Sequence, residues 1–296
     1  MSQKRKTVMI MTILFVFARI MVYIEGCLVY KMNNVFGVRI PVRVLLSIVM
    51  LSCVYKYMDK DVFAWSWKKC GYAITRLSPV ILLNSILVVI VIVGSILIEH
   101  RMITFTEARF FEMLGAIIMS LSISLYEEGL YRGIITGGLQ KILTQNKRSV
   151  WIIVLLSGAV FGFVHIVSYF EIIKYHPGIV FIQMIITFLQ YGSLGILFAA
   201  VYVRTRNIWG GIVAHFLIDV IPFLMQIIMT DSSVSVTSGK ISEANNQVNI
   251  HMTQRTMVIT MIIVAFYVVI HFLITWRIIK NMYKGSEEAT KKEIIE

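Results

Sequence analysis

The sequence predicts an all-α fold, a polytopic transmembrane helical bundle of about eight spans with both termini in the cytoplasm. Hydrophobic residues make up 58% of the 296 residues and charged residues only 15%, with a mean hydropathy of +0.80. Apolar runs of about 20 residues, the length that a bilayer needs, recur along the whole chain. A soluble domain does not have this composition.

The apolar runs divide the chain into eight predicted spans. These run from Thr7 to Tyr30, Val38 to Tyr57, Leu77 to Ile98, Met113 to Leu139, Val150 to Phe170, Gly178 to Val203, Ile208 to Met229 and Thr256 to Ile279. We expect one membrane domain over residues 1–296, with a motif-bearing core at 113–229 and peripheral spans at 7–98 and 256–279. Pro222 is expected to kink the seventh span.

The positive charges predict the orientation. With the N-terminus inside, the inner segments hold 18 lysines and arginines and the outer segments hold 8, among them Arg39 and Arg43. This asymmetry is typical of a protein with cytoplasmic termini. Because the net charge of +12 lies mainly in these loops, it indicates contact with the lipid bilayer and excludes a nucleic-acid partner.

Three further features of the chain also give predictions. Arg19 and Glu25 interrupt the first apolar run, so we expect an uncleaved span there and not a signal peptide. The outer segment from Thr230 to Gln254 is polar and is expected to be mobile. The inner segment from Met58 to Arg76 carries two tryptophans and paired lysines, and we expect it to rest on anionic lipid without a catalytic role.

The most unusual stretch of the chain lies in the fourth span. Glu127, Glu128 and Arg132 interrupt an otherwise apolar run, and ionised side chains at this depth are costly. On a helix Glu128 and Arg132 share one face and can pair, whereas Glu127 points about 100° away and lacks that partner. A spare carboxylate in a low-dielectric site can act as a general base. The alternative is a structural ion pair between helices.

Two later spans carry further polar residues. His165 lies deep in the fifth span, and His215 and Asp219 share a face of the seventh. Each has a structural explanation as a hydrogen bond between helices or as a pair that satisfies itself. Helical rise puts Glu127 and His165 at comparable depths, about 18 and 22 Å from the inner ends of their spans, and His215 at only about 10 Å. Nearby glycines would let the backbones approach closely; they are Gly129, Gly133, Gly162, Gly210 and Gly211.

Together these three motifs resemble the CPBP family, the CAAX proteases and bacteriocin-processing proteins also called type II CAAX endopeptidase or Abi proteins. The family pattern is Glu-Glu-x-x-x-Arg, then Phe-x-x-x-His, then His-x-x-x-(Asp/Asn). Here the pattern is Glu127 to Arg132, Phe161 to His165, and His215 to Asp219. The order of the motifs and the eight-span layout also look like the family, and the resemblance covers about Met113 to Met229.

The resemblance implies a membrane-embedded endopeptidase that acts on a membrane-associated protein or peptide. By analogy, Glu127 and His165 would activate the attacking water, and His215 and Asp219 would stabilise the oxyanion. Arg132 would hold Glu128. A carboxylate base and a protonated histidine suit acyl transfer in a desolvated site.

The sequence leaves the metal question open. Glu127, His165 and His215 could hold a divalent metal such as zinc, with water as the fourth ligand. The same residues can also activate water as a glutamate-dependent hydrolase. No His-Glu-x-x-His helix is present, and we expect activation without metal.

Other functions remain as alternatives at this stage. A non-catalytic protein of the same fold could serve bacteriocin self-immunity or act as a scaffold. A transporter could use the same residues as a proton relay, but the internal symmetry typical of transporters is missing from the sequence. The composition, rich in Ile, Lys and Asn, hints at an AT-rich bacterial genome. We therefore expect a multi-pass protein of the bacterial plasma membrane that acts on a bacterial peptide.

Overall fold

The computed structural model describes residues 2–32, 35–99, 107–144, 146–171, 173–174, 177–229 and 254–295, and this part of the chain is helical without a β-strand. The predicted all-α bundle is therefore confirmed. The α-helices are α1 (Gln3–Met32), α2 (Val35–Cys53), α3 (Trp67–Glu99), α4 (Glu107–Glu127), α5 (Gly137–Ile142), α6 (Lys147–Ile166), α7 (Pro177–Thr205), α8 (Trp209–Met229) and α9 (Gln254–Ile295). Two π-helices, Val54–Met58 and Glu128–Thr136, extend α2 and α4, and short 3₁₀ helices cover Lys60–Phe63 and Val167–Glu171.

Each predicted span corresponds to a helix. In the described residues, seven helices are long and apolar enough to cross a membrane. The remaining predicted span, Ile208 to Met229, corresponds to α8, whose apolar stretch Trp209–Met225 is shorter. The inside or outside location of the termini remains a prediction, and residues 230–253 of the outer segment lie outside the described residues.

Helix α3 begins ten residues earlier than its predicted span. Ser66 precedes the helix, and its Oγ accepts a hydrogen bond from the backbone N–H of Lys69 at 3.4 Å. A serine in this position supplies one of the acceptors that the first turn lacks. The polar first turn does not register as part of an apolar span, which is why hydropathy placed the start at Leu77.

The inner segment is only partly the interfacial element that its composition predicts. The tryptophans Trp65 and Trp67 are 52% and 79% exposed, as a membrane-interface segment requires. The stretch before them, however, is joined to the α7–α8 turn. Asn207 donates from Nδ2 to the carbonyl of Ala64 at 2.9 Å, and the N–H of Ile208 donates to Val62 at 3.1 Å. This segment therefore covers the start of α8.

The π-helix that continues α4 lies at the centre of the bundle. All nine of its residues are buried, and it contacts α1, α2, α4, α5, α6 and α7. The hydroxyl of Thr136 donates to the carbonyl of Tyr131 and lies 2.8 Å from the Ser157 hydroxyl on α6. π-helical turns are rare and often occur at functional sites. The α-helical spacing assumed for this stretch is therefore only approximate.

Glycines permit the close packing around this centre, as predicted. A Cβ on Gly133 would overlap Val54 Cγ2 of the neighbouring π-helix. At the α6–α7 crossing, a Cβ on Gly162 would lie 2.7 Å from the carbonyl oxygen of Phe188. Such separations are well below van der Waals contact, so the helices can approach only because no side chain intervenes.

The first two spans share an ion cluster that the charge count missed. Glu25 is buried on α1, and its carboxylate lies 2.7 Å from Arg43 Nε and 3.5 Å from Arg39 Nε on α2. Both arginines lie within a candidate membrane span, Gly37–Met58. They were counted among the basic residues of the outer segments, but they do not lie in a loop. The buried carboxylate of Glu25 on the adjacent helix compensates their charge.

Candidate functional site

The two adjacent glutamates have different surroundings. The side chain of Glu128 is 1% exposed, its Oε2 lies 3.5 Å from Arg132 Nε, and its Oε1 lies 3.0 Å from His215 Nδ1. The side chain of Glu127 is 15% exposed, and its Oε2 lies 3.8 Å from His215 Nε2. The predicted pairing of Glu128 with Arg132 is confirmed. Glu127 is left as the more accessible carboxylate.

Aromatic rings hold the guanidinium of Arg132. Its Cζ lies 4.8 Å from the ring centroid of Phe161 and 5.1 Å from that of Phe198. A planar guanidinium stacks on aromatic faces more readily than an ammonium group does. Arg132 is thus fixed by a carboxylate and by two rings, and it is almost fully buried.

His215 lies among three carboxylates. Its Nδ1 faces Glu128, and its Nε2 lies 3.5 Å from Asp219 Oδ2 and 3.8 Å from Glu127 Oε2. The predicted pairing of His215 with Asp219 is confirmed. The depth mismatch expected for His215 does not prevent these contacts, because the α7–α8 turn is itself buried: Ile208 is 1% exposed. Helix α8 therefore starts inside the protein.

His165 lies near this group and is fixed by its own helix. Its Nδ1 lies 2.7 Å from the carbonyl oxygen of Phe161. A carbonyl only accepts, so Nδ1 carries the proton in this bond and Nε2 remains for other chemistry. The ring stacks on Tyr191 with centroids 3.9 Å apart and planes 9° apart. Glu127 and His215 both interact electrostatically with His165.

A proline and an asparagine shape α8 beside Asp219. Pro222 has no N–H, so it cannot bond the carbonyl of Ile218 four residues earlier. The side-chain amide of Asn84 on α3 donates to that carbonyl at 3.0 Å. In an apolar environment an unpaired carbonyl is costly, and a side chain from a neighbouring helix can satisfy it. The contact fixes α8 one residue before Asp219.

Gly211 brings α8 directly against the buried carboxylate. A Cβ at this position would lie 2.6 Å from Glu128 Oε2. The carboxylate cannot easily move aside, because His215 and Arg132 hold its two oxygens. Gly211 is therefore part of the site and not only a packing residue.

The structure brings all six predicted site residues into one region of the bundle. Motif analysis missed several of the residues that support them. Tyr191 and Phe198 lie on α7, whose span carries no motif, and their aromatic character alone gives no signal. Asn84 is a different case, because an asparagine within an apolar span favours a hydrogen bond to a neighbouring helix, and Pro222 leaves one carbonyl there without a donor.

The described residues do not assemble a three-residue metal site. Among the described residues, no group of three His, Cys, Asp or Glu side chains is placed to hold a metal ion. Nδ1 of His215 faces Glu128 and Nδ1 of His165 faces a backbone carbonyl, so Nε2 is the nitrogen that each ring has left for a ligand. The conditional ligand set of Glu127, His165 and His215 does not form a three-residue group in the described part of the structure, and metal dependence is left to experiment.

An apolar cavity of about 590 Å³ lies next to the π-helix that carries Glu128 and Arg132, and none of the six predicted site residues lines it. Helices α1 and α6 contribute most of its lining, including Phe15, Val160 and Phe163, and the π-helix contributes Ile135. Because Phe163 is 52% exposed, the cavity borders the outer surface of the bundle. It can receive an apolar group from the bilayer.

A second buried histidine lies away from this site. His271 on α9 is 1% exposed, and its Nδ1 lies 2.9 Å from the Ser193 hydroxyl on α7. His271 lies within a candidate membrane span, Val258–Lys284. It joins α9 to α7 and does not approach the glutamates through any contact in the described residues.

A comparison with known families gives a match that covers the site. Residues 109–221 match the family model described as "Type II CAAX prenyl endopeptidase Rce1-like". A search of the curated proteins and a search of the solved structures gave no match. The matched segment includes all three motifs, so the resemblance to the CPBP proteases is confirmed. Residues 109–221 of this multi-pass membrane protein therefore match the Rce1-like type II CAAX prenyl endopeptidase family.

Proposed function

We propose that the protein is an intramembrane endopeptidase that hydrolyses a peptide bond of a membrane-associated protein or peptide. One observation carries the assignment. Of two adjacent glutamates, one is engaged by His215 and Arg132, while Glu127 is more exposed and faces the same histidine. An accessible carboxylate in a largely apolar region is suited to act as a general base.

Water activation is assigned to Glu127 and His165. In this mechanism the water oxygen attacks the peptide carbonyl carbon while Glu127 accepts a proton from the water. Nε2 of His165, whose other nitrogen is held by Phe161, hydrogen-bonds the same water and orients it. The proton then passes from Glu127 to the leaving nitrogen as the C–N bond breaks, which gives a carboxylic acid and an amine.

Oxyanion stabilisation is assigned to His215. In its protonated form, Nδ1–H donates to Glu128. Nε2–H lies on the side of the ring that faces Glu127 and Asp219, and it can donate to the developing oxyanion. A preformed donor in a water-poor site contributes strongly to catalysis because it needs no reorganisation. Asp219 and Glu128 act through His215 as positioning residues.

The location of the site supports a substrate that approaches within the membrane. An apolar cavity lined mainly by α1 and α6 reaches the outer surface at Phe163, and Ile135 of the π-helix that carries Glu128 also lines it. A peptide with an attached lipid or an apolar segment can occupy such a cavity favourably, because burial of apolar surface drives binding. A bacterial peptide remains our preferred substrate.

The proposal is tested with purified protein in lipid nanodiscs and a library of membrane peptides. Glu127→Gln removes the base but keeps the shape of the side chain, and we expect it to abolish cleavage. Glu112→Gln makes the same change earlier on α4 and serves as the matched control. Cleavage by Glu127→Gln at the rate of the control would overturn the assignment. Cleavage by neither the wild type nor the control would favour the non-catalytic alternative.

A chelator arm addresses the metal question separately. Because the described donors do not form a three-residue ligand set, our mechanism uses no metal. Wild-type cleavage should therefore persist after prolonged treatment with a strong chelator. Loss of activity on chelation, with recovery on added zinc, would show that the site rearranges around a metal.

A further inference from the structure

Arg19 is a cation in the middle of a predicted membrane span. It lies about 24 Å from the start of α1 at Gln3 and about 20 Å from the end at Met32, at 1.5 Å per residue. Its side chain is partly exposed. An ionised group so far from both ends of a span is costly without an anion, and such groups commonly mark functional sites.

The position of α1 directs Arg19 toward the catalytic region. The preceding residue, Ala18, is fully buried in one cluster with Tyr126, Tyr131 and Phe161. The guanidinium of Arg19 interacts electrostatically with Tyr126, Tyr131 and His165. Two of these residues belong to the site or border it. Tyr126 precedes Glu127 in the chain, and His165 is the residue that we propose to orient the attacking water.

Arg19 differs from the other arginines of the spans around it. Arg39 and Arg43 share Glu25, and Arg132 has Glu128. In the part of the chain that the structure describes, Arg19 has no hydrogen bond or ion pair. It is therefore available to an anion that comes from outside the protein.

We propose that Arg19 binds the C-terminal carboxylate of the substrate peptide and so determines which peptides are cut. This inference rests on the proposed function. Phe15, one helical turn before Arg19, lines the apolar cavity. A ligand with a carboxylate next to apolar residues therefore fits both the cation of Arg19 and the cavity. An arginine suits this task because its fork of N–H donors matches a carboxylate. Lipid phosphates lie near the span ends, away from this position.

Binding to the inactive Glu127→Gln protein tests the proposal without cleavage. The probe is a palmitoylated octapeptide of apolar sequence, prepared once with a free C-terminal carboxylate and once as the amide. We expect the acid to bind about tenfold more tightly than the amide, as loss of a charge-assisted hydrogen bond predicts. Adding Arg19→Gln should remove this preference, and Arg19→Lys should keep part of it.

Arg39→Gln is the matched control, since it removes a cation of the neighbouring span that faces Glu25. It should keep the preference for the acid. Equal binding of acid and amide, no binding of either, or an unchanged preference in Arg19→Gln would overturn the proposal. Competition by free palmitate as strong as that of the peptide acid would reassign Arg19 to a lipid carboxylate. If the wild type bound the peptide acid more tightly than the amide but cut neither peptide, the proposed function would be contradicted and this inference would stand.

Discussion

Nδ1 of His215 lies 3.0 Å from Oε1 of Glu128, which joins α8 to the central π-helix. The other oxygen of the same carboxylate faces Arg132. One buried glutamate therefore orients both a histidine and an arginine, and it is not free to take a proton from water. The adjacent Glu127 does not hold both of these side chains. The two carboxylates therefore have separate roles, although they are neighbours in the chain.

The close approach of Gly211 to Glu128 gives the first prediction. Gly211→Ala would put a methyl group 2.6 Å from Glu128 Oε2, and the carboxylate is held on both oxygens. We expect the carboxylate to lose its contact with His215, and kcat to fall about a hundredfold, since small displacements in a catalytic site have effects of this size. Peptide cleavage in nanodiscs measures the change.

Gly178→Ala provides the control for this substitution, because a Cβ there would have no atom within 4 Å. It should leave kcat within about twofold of the wild type, as expected for a surface change of this size. If Gly211→Ala were equally active, Glu128 could move without harm, and its orienting role would have to be abandoned.

The stacking of Arg132 gives the second prediction. Arg132→Lys keeps the charge but loses the planar group that lies between Phe161 and Phe198. Each cation–π contact of a desolvated guanidinium contributes up to about 2 kcal/mol, so we expect lower thermal stability and at least about tenfold lower activity. The measurement is thermal unfolding in detergent together with kcat.

A double-mutant cycle shows whether the rings account for the effect. In a Phe198→Leu background one of the two aromatic faces is already gone, so Arg132→Lys should cost less than in the wild type. Equal costs in both backgrounds would mean that Arg132 acts through its charge on Glu128 alone.

The carboxylate of Asp219 gives the third prediction. It lies 3.5 Å from His215 Nε2 and is partly exposed. Asp219→Asn keeps an oxygen acceptor that can orient the ring, and we expect activity within about tenfold of the wild type. Asp219→Leu removes the acceptor and should lower kcat about a hundredfold or more, as loss of an orienting group does. KM should change little in both variants, because the residue is not assigned a substrate contact. Greater damage by the asparagine than by the leucine would contradict the orienting role.

Much of this arrangement could be predicted from the sequence because it depends on local spacing. The i,i+4 relationships of Glu128 with Arg132 and of His215 with Asp219 follow from helical geometry alone. Apolar runs likewise predicted the helices, since a span must be both long and apolar.

The remainder depends on contacts between distant parts of the chain. His215 reaches Glu128 only because the buried turn before α8 lets this helix start inside the protein. The π-helix after Glu127 could not be predicted from hydropathy, because hydropathy does not distinguish a π-helix from an α-helix. The pairing of Glu25 with Arg43 was missed because charge counting treats each loop separately. Such contacts require the tertiary structure.

The link between Asn84 and Pro222 gives the last prediction. Asn84→Leu keeps the size of the side chain but leaves the carbonyl of Ile218 without a donor. An unsatisfied buried acceptor costs about 1–3 kcal/mol, so the protein should unfold at a lower temperature. Activity should fall as well, because the carbonyl precedes Asp219 in the chain.

In a Pro222→Ala background the new N–H at position 222 can bond Ile218 in the ordinary helical way. Asn84→Leu should then cost much less, and the cycle of four proteins should show a coupling energy of at least about 1 kcal/mol. Additive effects would mean that Asn84 stabilises α3 and α8 independently of the proline. In that case the position of Asp219 would have to be set by the packing of α8 against α3 and α4 alone.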